Sequence, residues 1–193
     1  MPALRTDDTP TQPAAIRTLH WLTLLVLLLT FSLVLVRDGL EDRGWLLWTL
    51  STHRYLGIAV WLLACARLVV RSRMPMADTL LVAPRWQQWA AGAVHGLLYL
   101  LLLAVPLLGL ALTNARGHAV ILPLIGALPT WPSRDLDLAD TLEQVHSAAA
   151  WALTALVGLH ATVALWHHSF LRDDVLLAML PRPVALKTFP AGI

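Results

Sequence analysis

Four long apolar stretches, each closed by charged or turn-forming residues, set the pattern of this chain. The first is Leu19 to Val36. It ends in Val36-Arg37-Asp38-Gly39, which reads as a helix exit, and no small-residue cleavage motif follows, so it is expected to be a retained span rather than a signal peptide. The second runs from about Trp45 to Val70 and is uncharged between Arg54 and Arg67. The third, from about Trp86 to Thr113, contains Pro106, which predicts a kink. The fourth is expected to begin near Asp140 and includes Val145 to Leu171, a run with no Asp, Glu, Lys or Arg. A bilayer forces such segments to satisfy their backbone polar groups internally, so each is predicted to be a helix. The expected organisation is a flexible tail over 1–13, a four-span domain over 14–181 with spans at about 15–36, 45–70, 86–113 and 140–171, and a second tail over 182–193. The fold class is all-α, an integral membrane four-helix bundle. No repeat or heptad is visible.

Composition narrows the class. Of 193 residues, 58% are hydrophobic and 13% charged, whereas a soluble domain carries about 25% charged residues. A formal charge of +2 is too small to imply nucleic acid. The basic residues instead report topology. Arg5, Arg17, Arg67, Arg71, Arg73, Arg85, Arg172, Arg182 and Lys187 fall on one side, and Arg37, Arg43, Arg54, Arg116 and Arg134 on the other. The richer side, with both termini, is predicted to be cytoplasmic. The long loop from about Asn114 to Ala139 then faces out. Its LPLIGALPTWP segment is either a cap over the bundle or a loop lying in the headgroups. The single cysteine, Cys65, forms no intrachain disulfide, and the absence of CxxCH means that any haem is held non-covalently. Of the nine Trp, Trp21, Trp45, Trp48, Trp86, Trp89, Trp131 and Trp166 fit interfacial belts.

The chemistry lies in the histidines. His146 and His160 are fourteen residues apart on the fourth span. At about 100° per residue that is about 40° short of four turns, so both share one helix face, about 21 Å apart along the axis. One imidazole thus sits toward each side of a hydrocarbon core about 30 Å thick. His20 lies at the cytoplasmic level of the first span, beside His160, and His53 at the outer level of the second, beside His146. Four histidines on three helices make two stacked bis-imidazole pairs, His20/His160 and His53/His146, which suits two six-coordinate b-type haems. With no open iron position, such sites serve electron transfer rather than oxygen binding. Intramembrane His is costly and marks function.

Other residues surround these pairs. Arg54 follows His53 and Arg17 is one turn before His20, and either is a candidate partner for an anionic haem propionate, against a purely topological or snorkelling role. His95, on the third span, is a candidate propionate or quinone contact, a replacement ligand, or a His satisfied by neighbouring helices. His118, His167 and His168 read as surface residues. Gly57, Gly92, Gly96 and Gly158 either admit a macrocycle or mark tight helix packing.

The segments RTLHW, STHRYLGIAVWLLACARLVVR, VHGLLYLLLLAVPLLG and LEQVHSAAAWALTALVGLHATVALWHHSFLRDDVL together resemble the prokaryotic cytochrome b561 family, over about residues 15 to 181. The resemblance implies a dihaem b protein of the bacterial inner membrane that exchanges electrons with quinone. The family's ligand pattern falls on His20, His53, His146 and His160. Arg54 stands where the family often has Lys, and His118 stands where another polar residue is usual.

Three functions follow as expectations. The first is transmembrane electron transfer through two haems b, with ubiquinone as redox partner and a periplasmic donor, superoxide in some relatives. In that role the chain is a quinone oxidoreductase of the respiratory chain, surrounded by lipid and a candidate homodimer. The second is a haem b anchor subunit of a periplasmic hydrogenase or dehydrogenase, for which the short loops offer little docking surface. The third is a haem-free metal transporter, against which stands the absence of Asp and Glu from the four apolar runs.

Overall fold

The computed structural model describes residues 11–37, 39–74, 84–122, 126–131 and 133–180. Most of both expected tails, with Arg5, Arg182 and Lys187, lies outside the described residues. Four helices form the body: α1 Ala14–Arg37, α2 Arg43–Arg73, α3 Arg85–Ala115 and α4 Leu136–Trp166. A π-helical turn, His167–Leu171, extends α4, and a 3-10 turn, Leu177–Met179, follows. Between α3 and α4 sit two short strands, β1 Ile121–Leu122 and β2 Gly126–Ala127, paired antiparallel with Ile121 opposite Ala127.

Local chemistry fixes the helix ends. Asp42 caps α2 by accepting from the Trp45 N–H at 2.9 Å. Asp135 caps α4 by accepting from the Leu138 N–H at 2.9 Å. The cap, with Asp137 favourably placed near the positive helix end, starts α4 at Leu136, a turn before the expected Asp140. The helix α3 is continuous through Pro106. Four threonine hydroxyls inside the helices are satisfied on their own backbone, as apolar surroundings demand. Thr23, Thr30, Thr113 and Thr154 donate to the carbonyls of Leu19, Val26, Gly109 and Ala150 at 2.6–2.9 Å.

All four helices are long and apolar enough to cross a membrane. In none is more than 22% of the most apolar window buried, so most of the apolar surface faces outward, as a bilayer requires. The helix α1 packs along α2, α2 against α3, and α3 along α4. The helices α1 and α4 meet through side chains, with the Phe31 and Trp151 rings edge to face at 5.1 Å. The buried core, Val60, Ala64, Leu98, Leu102, Val105 and Leu153, forms a plug at the waist of the bundle. Above and below it the helices part, leaving two cavities that share Leu27 as a wall.

Candidate functional site

Each helix contributes to both cavities, and the register is the same throughout. Residues fourteen apart lie on one face about 21 Å apart. In α2 these are His53 and Arg67, in α3 Gly109 and His95, in α4 His146 and His160, and in α1 Val34 and His20. The tier that the Lys and Arg distribution leads us to expect on the outer side, called the outer tier for that reason, holds Val34, His53, Gly109 and His146, around a cavity of about 260 Å³. The inner tier holds His20, Arg67, His95 and His160, around one of about 660 Å³.

In the outer tier the His53 and His146 ring centroids are 6.2 Å apart. The Nδ1 of His53 lies 3.1 Å from Thr30 O, and that of His146 lies 3.0 Å from Val105 O. A carbonyl can only accept, so each Nδ1 carries the proton and each Nε2 keeps its lone pair. That arrangement of the far nitrogen is characteristic of metal-bound histidine. Gly109 makes room for it, since a Cβ there would stand 3.0 Å from His146 Cε1. Arg37, Arg54, Arg116 and Glu143 line the same cavity, and Arg116 is ion-paired with Glu143. The loop closes this end. Tyr55 donates its hydroxyl hydrogen to Ile121 O at 3.0 Å, and the buried Val120 forms part of the wall. Val120 lies just before the LPLIGALPTWP segment, and the described residues of that segment line neither cavity and are mostly exposed.

In the inner tier the His20 and His160 centroids are 6.3 Å apart. His95 lies closer to His160, at 5.2 Å, with its Nδ1 2.7 Å from Ala91 O of its own helix. His20 Nδ1 is buried with no hydrogen-bond partner. The chain after α4 folds back beneath this cavity. Gln12 N–H donates to Ala178 O at 3.0 Å and Trp21 Nε1 to Met179 O at 2.8 Å, which brings the two described ends together. A short contact of 2.5 Å between His167 Nδ1 and Asp173 Oδ2 fastens the turn.

Several sequence expectations shift accordingly. Arg17 does not line the inner cavity, because its guanidinium reaches Leu180 O at 2.9 Å in the returning chain. Arg54 does line the outer one. His118 and His168 are exposed. Gly57 and Gly92 line the outer and inner cavities, while Gly96 and Gly158 line neither, and a Cβ at any of these four would meet nothing within 4 Å. The close approach occurs instead at Gly109. Arg67, Tyr99 and Gly109 were not anticipated, although the fourteen-residue spacing from His53 and His95 points to two of them.

The geometry suits a flat cofactor with two axial nitrogens. Two metal–nitrogen bonds of about 2.0–2.1 Å and two ring radii of about 1.1 Å place trans imidazole centroids about 6.3 Å apart. The two pairs stand at 6.2 and 6.3 Å, whereas His95 and His160, at 5.2 Å, are too close to face each other across one metal ion. Among the described residues no three His, Cys, Asp or Glu side chains converge on one point as a bare ion would need. Level-matched imidazole pairs in a bundle of four membrane-length helices are the arrangement of a membrane cytochrome.

Comparison with known proteins gives the particular family. The model of the prokaryotic cytochrome b561 family matches residues 11–182. A Yersinia pestis protein named probable superoxide oxidase CybB is 33% identical over 168 residues, covering 85% of this chain and 92% of its own. Cytochrome b561 homolog 1 of Escherichia coli K12 is 32% identical over 171 residues, covering 85% and 93%. Cytochrome b561 homolog 2 of the same organism is 28% identical over 162 residues, covering 83% and 86%. The chain belongs to the prokaryotic cytochrome b561 family. It is a multi-pass electron-transfer protein of the bacterial inner membrane, with b-type haem as its cofactor.

Proposed function

We propose that the chain carries electrons across the membrane through two haems b, one per tier, and delivers them to ubiquinone. The observation that carries the reading is the pair of level-matched imidazole couples, His53/His146 at 6.2 Å and His20/His160 at 6.3 Å, each beside its own cavity. His53, His146, His20 and His160 would hold the haems, which when bound would supply one-electron redox chemistry. The protein's own residues do the rest. Thr30 O and Val105 O hold the outer imidazoles in the tautomer that leaves Nε2 free. The waist plug keeps the two sites apart and dry.

The distribution of Lys and Arg supports an outward-facing His53/His146 tier and cytoplasmic termini. Arg37 and Arg54 line the outer cavity beside the Arg116–Glu143 ion pair, so the lining is net positive and favours the approach of an anionic donor. Superoxide fits that charge, and the Yersinia pestis relative's name supports the same donor. The balance is two superoxide, one quinone and two protons giving two dioxygen and one quinol. His95, beside the inner pair, contributes a polar contact to a propionate or to the quinone.

A pyridine haemochrome count on purified protein tests the reading. Two haems per chain are expected, with His146→Ala and His160→Ala each removing one. A folded, haem-supplied preparation with none would sink it.

A further inference from the structure

The inner tier holds two polar groups that have no counterpart outside. Where the outer tier has Val34 and Gly109 beside its imidazole pair, the inner tier has Arg67 and His95. Arg67 is the residue α2 presents fourteen positions after His53, on the same face, at the level of His20 and His160.

Its surroundings are short of an anion. The Arg67 guanidinium lies over the Tyr99 ring, with Cζ 5.4 Å from the centroid. Arg67 Nε and the Tyr99 hydroxyl are both buried without a hydrogen-bond partner. Among the described residues lining this cavity, Arg67 and Arg71 are the charged ones and there is no Asp or Glu. The outer cavity differs, because Arg116 there already has Glu143. A cation buried at membrane depth is costly unless a negative charge meets it. A neutral carbonyl would accept a hydrogen bond and leave the charge uncompensated. A carboxylate does both, and its two oxygens match the guanidinium fork.

We propose that Arg67, backed by the Tyr99 hydroxyl, clamps a carboxylate inside the inner cavity, and that this carboxylate is a propionate of the inner haem. The inference rests on the dihaem reading above. It moves the counter-charge from Arg17, which is engaged with the returning chain, to a residue on the same register as the ligands. The fixed positive charge would also raise the potential of the haem whose propionate it holds.

The test compares wild-type protein with Arg67→Gln, Arg67→Lys and Tyr99→Phe. Three readouts are taken: haem count, redox titration and the propionate bending band in resonance Raman. In Arg67→Gln one of two waves should fall by at least tenfold in its one-electron equilibrium constant, about 59 mV, or its haem should be lost with the other retained. The propionate band should shift as well. Arg67→Lys should recover most of the potential but not the band position, since a point charge replaces the fork. Tyr99→Phe, which removes one oxygen, should shift the same wave and band by less, and serves if Arg67→Gln does not fold. Two haems with unchanged potentials and band in Arg67→Gln or Tyr99→Phe overturn the clamp and leave the dihaem reading standing. A wild-type count of one haem overturns the dihaem reading and the clamp with it.

Discussion

Gly109→Ala separates the outer site from the fold that carries it. A Cβ at this position would stand 3.0 Å from His146 Cε1 and 3.3 Å from Nδ1. The ring must therefore retreat by a few tenths of an ångström. It cannot retreat without cost, since Nδ1 is held by Val105 O at 3.0 Å and the pairing with the His53 ring at 6.2 Å fixes its place. Retreat lengthens that hydrogen bond, worth about 0.5–1.5 kcal/mol net, and tilts the ring away from an axial position. Loss of such an outer-shell contact typically weakens metal binding by about 10–100-fold. The helix itself gains, because Ala in place of a mid-helix Gly stabilises by about 0.5–1 kcal/mol. The two effects have opposite signs and can be read apart. In Gly109→Ala, retention of the outer haem under dilution should fall by about 10–100-fold, while helicity by circular dichroism is unchanged. Gly96→Ala, on the same helix with nothing within 4 Å of its Cβ, should leave haem content untouched. A Gly109→Ala protein that keeps two haems with wild-type retention and spectra would refute the reasoning.

Tyr55→Phe removes the hydroxyl that ties the hairpin to α2 and should weaken that tie by about 0.5–1.5 kcal/mol at most, seen as faster hydrogen exchange at residues 120–122 with α3 unaffected. Asp135→Ala deletes the cap of α4 and should cost about 1 kcal/mol, seen as a lower Tm in detergent, whereas Asp135→Asn should hold it.

Most of the fold was legible in the sequence because bilayer physics is blunt. A run such as Val145 to Leu171 can be little other than a spanning helix. The histidine pairs were legible because helical periodicity is rigid over fourteen residues and the span lengths set the levels. What the sequence hid were matters of side-chain reach. Arg17 sits one turn from His20, yet its long side chain finds Leu180 O, and nothing local announces that the chain after α4 returns there. Gly109 looked like any glycine of a packed helix, and its role appears only once His146 is placed against it. Arg67 was hidden differently. It was counted as a topological charge, although its spacing from His53 equals that from His146 to His160.

The two tiers share a register but not an electrostatic setting, and the difference has a direction. In the outer tier both imidazoles donate Nδ1–H to backbone carbonyls, which makes Nε2 more basic and favours the ferric state of a bound iron. In the inner tier His20 Nδ1 has no such partner, and the Arg67 guanidinium stands beside the pair. A nearby cation and a less basic ligand both favour the ferrous state. The inner site should therefore have the higher potential, so that electrons entering at the outer tier run downhill toward the inner one. Redox titration of the single-ligand variants checks this. His160→Ala should remove the higher-potential wave and His146→Ala the lower. The opposite assignment would mean that solvent exposure or cofactor distortion, rather than ligand basicity and the Arg67 charge, sets the order.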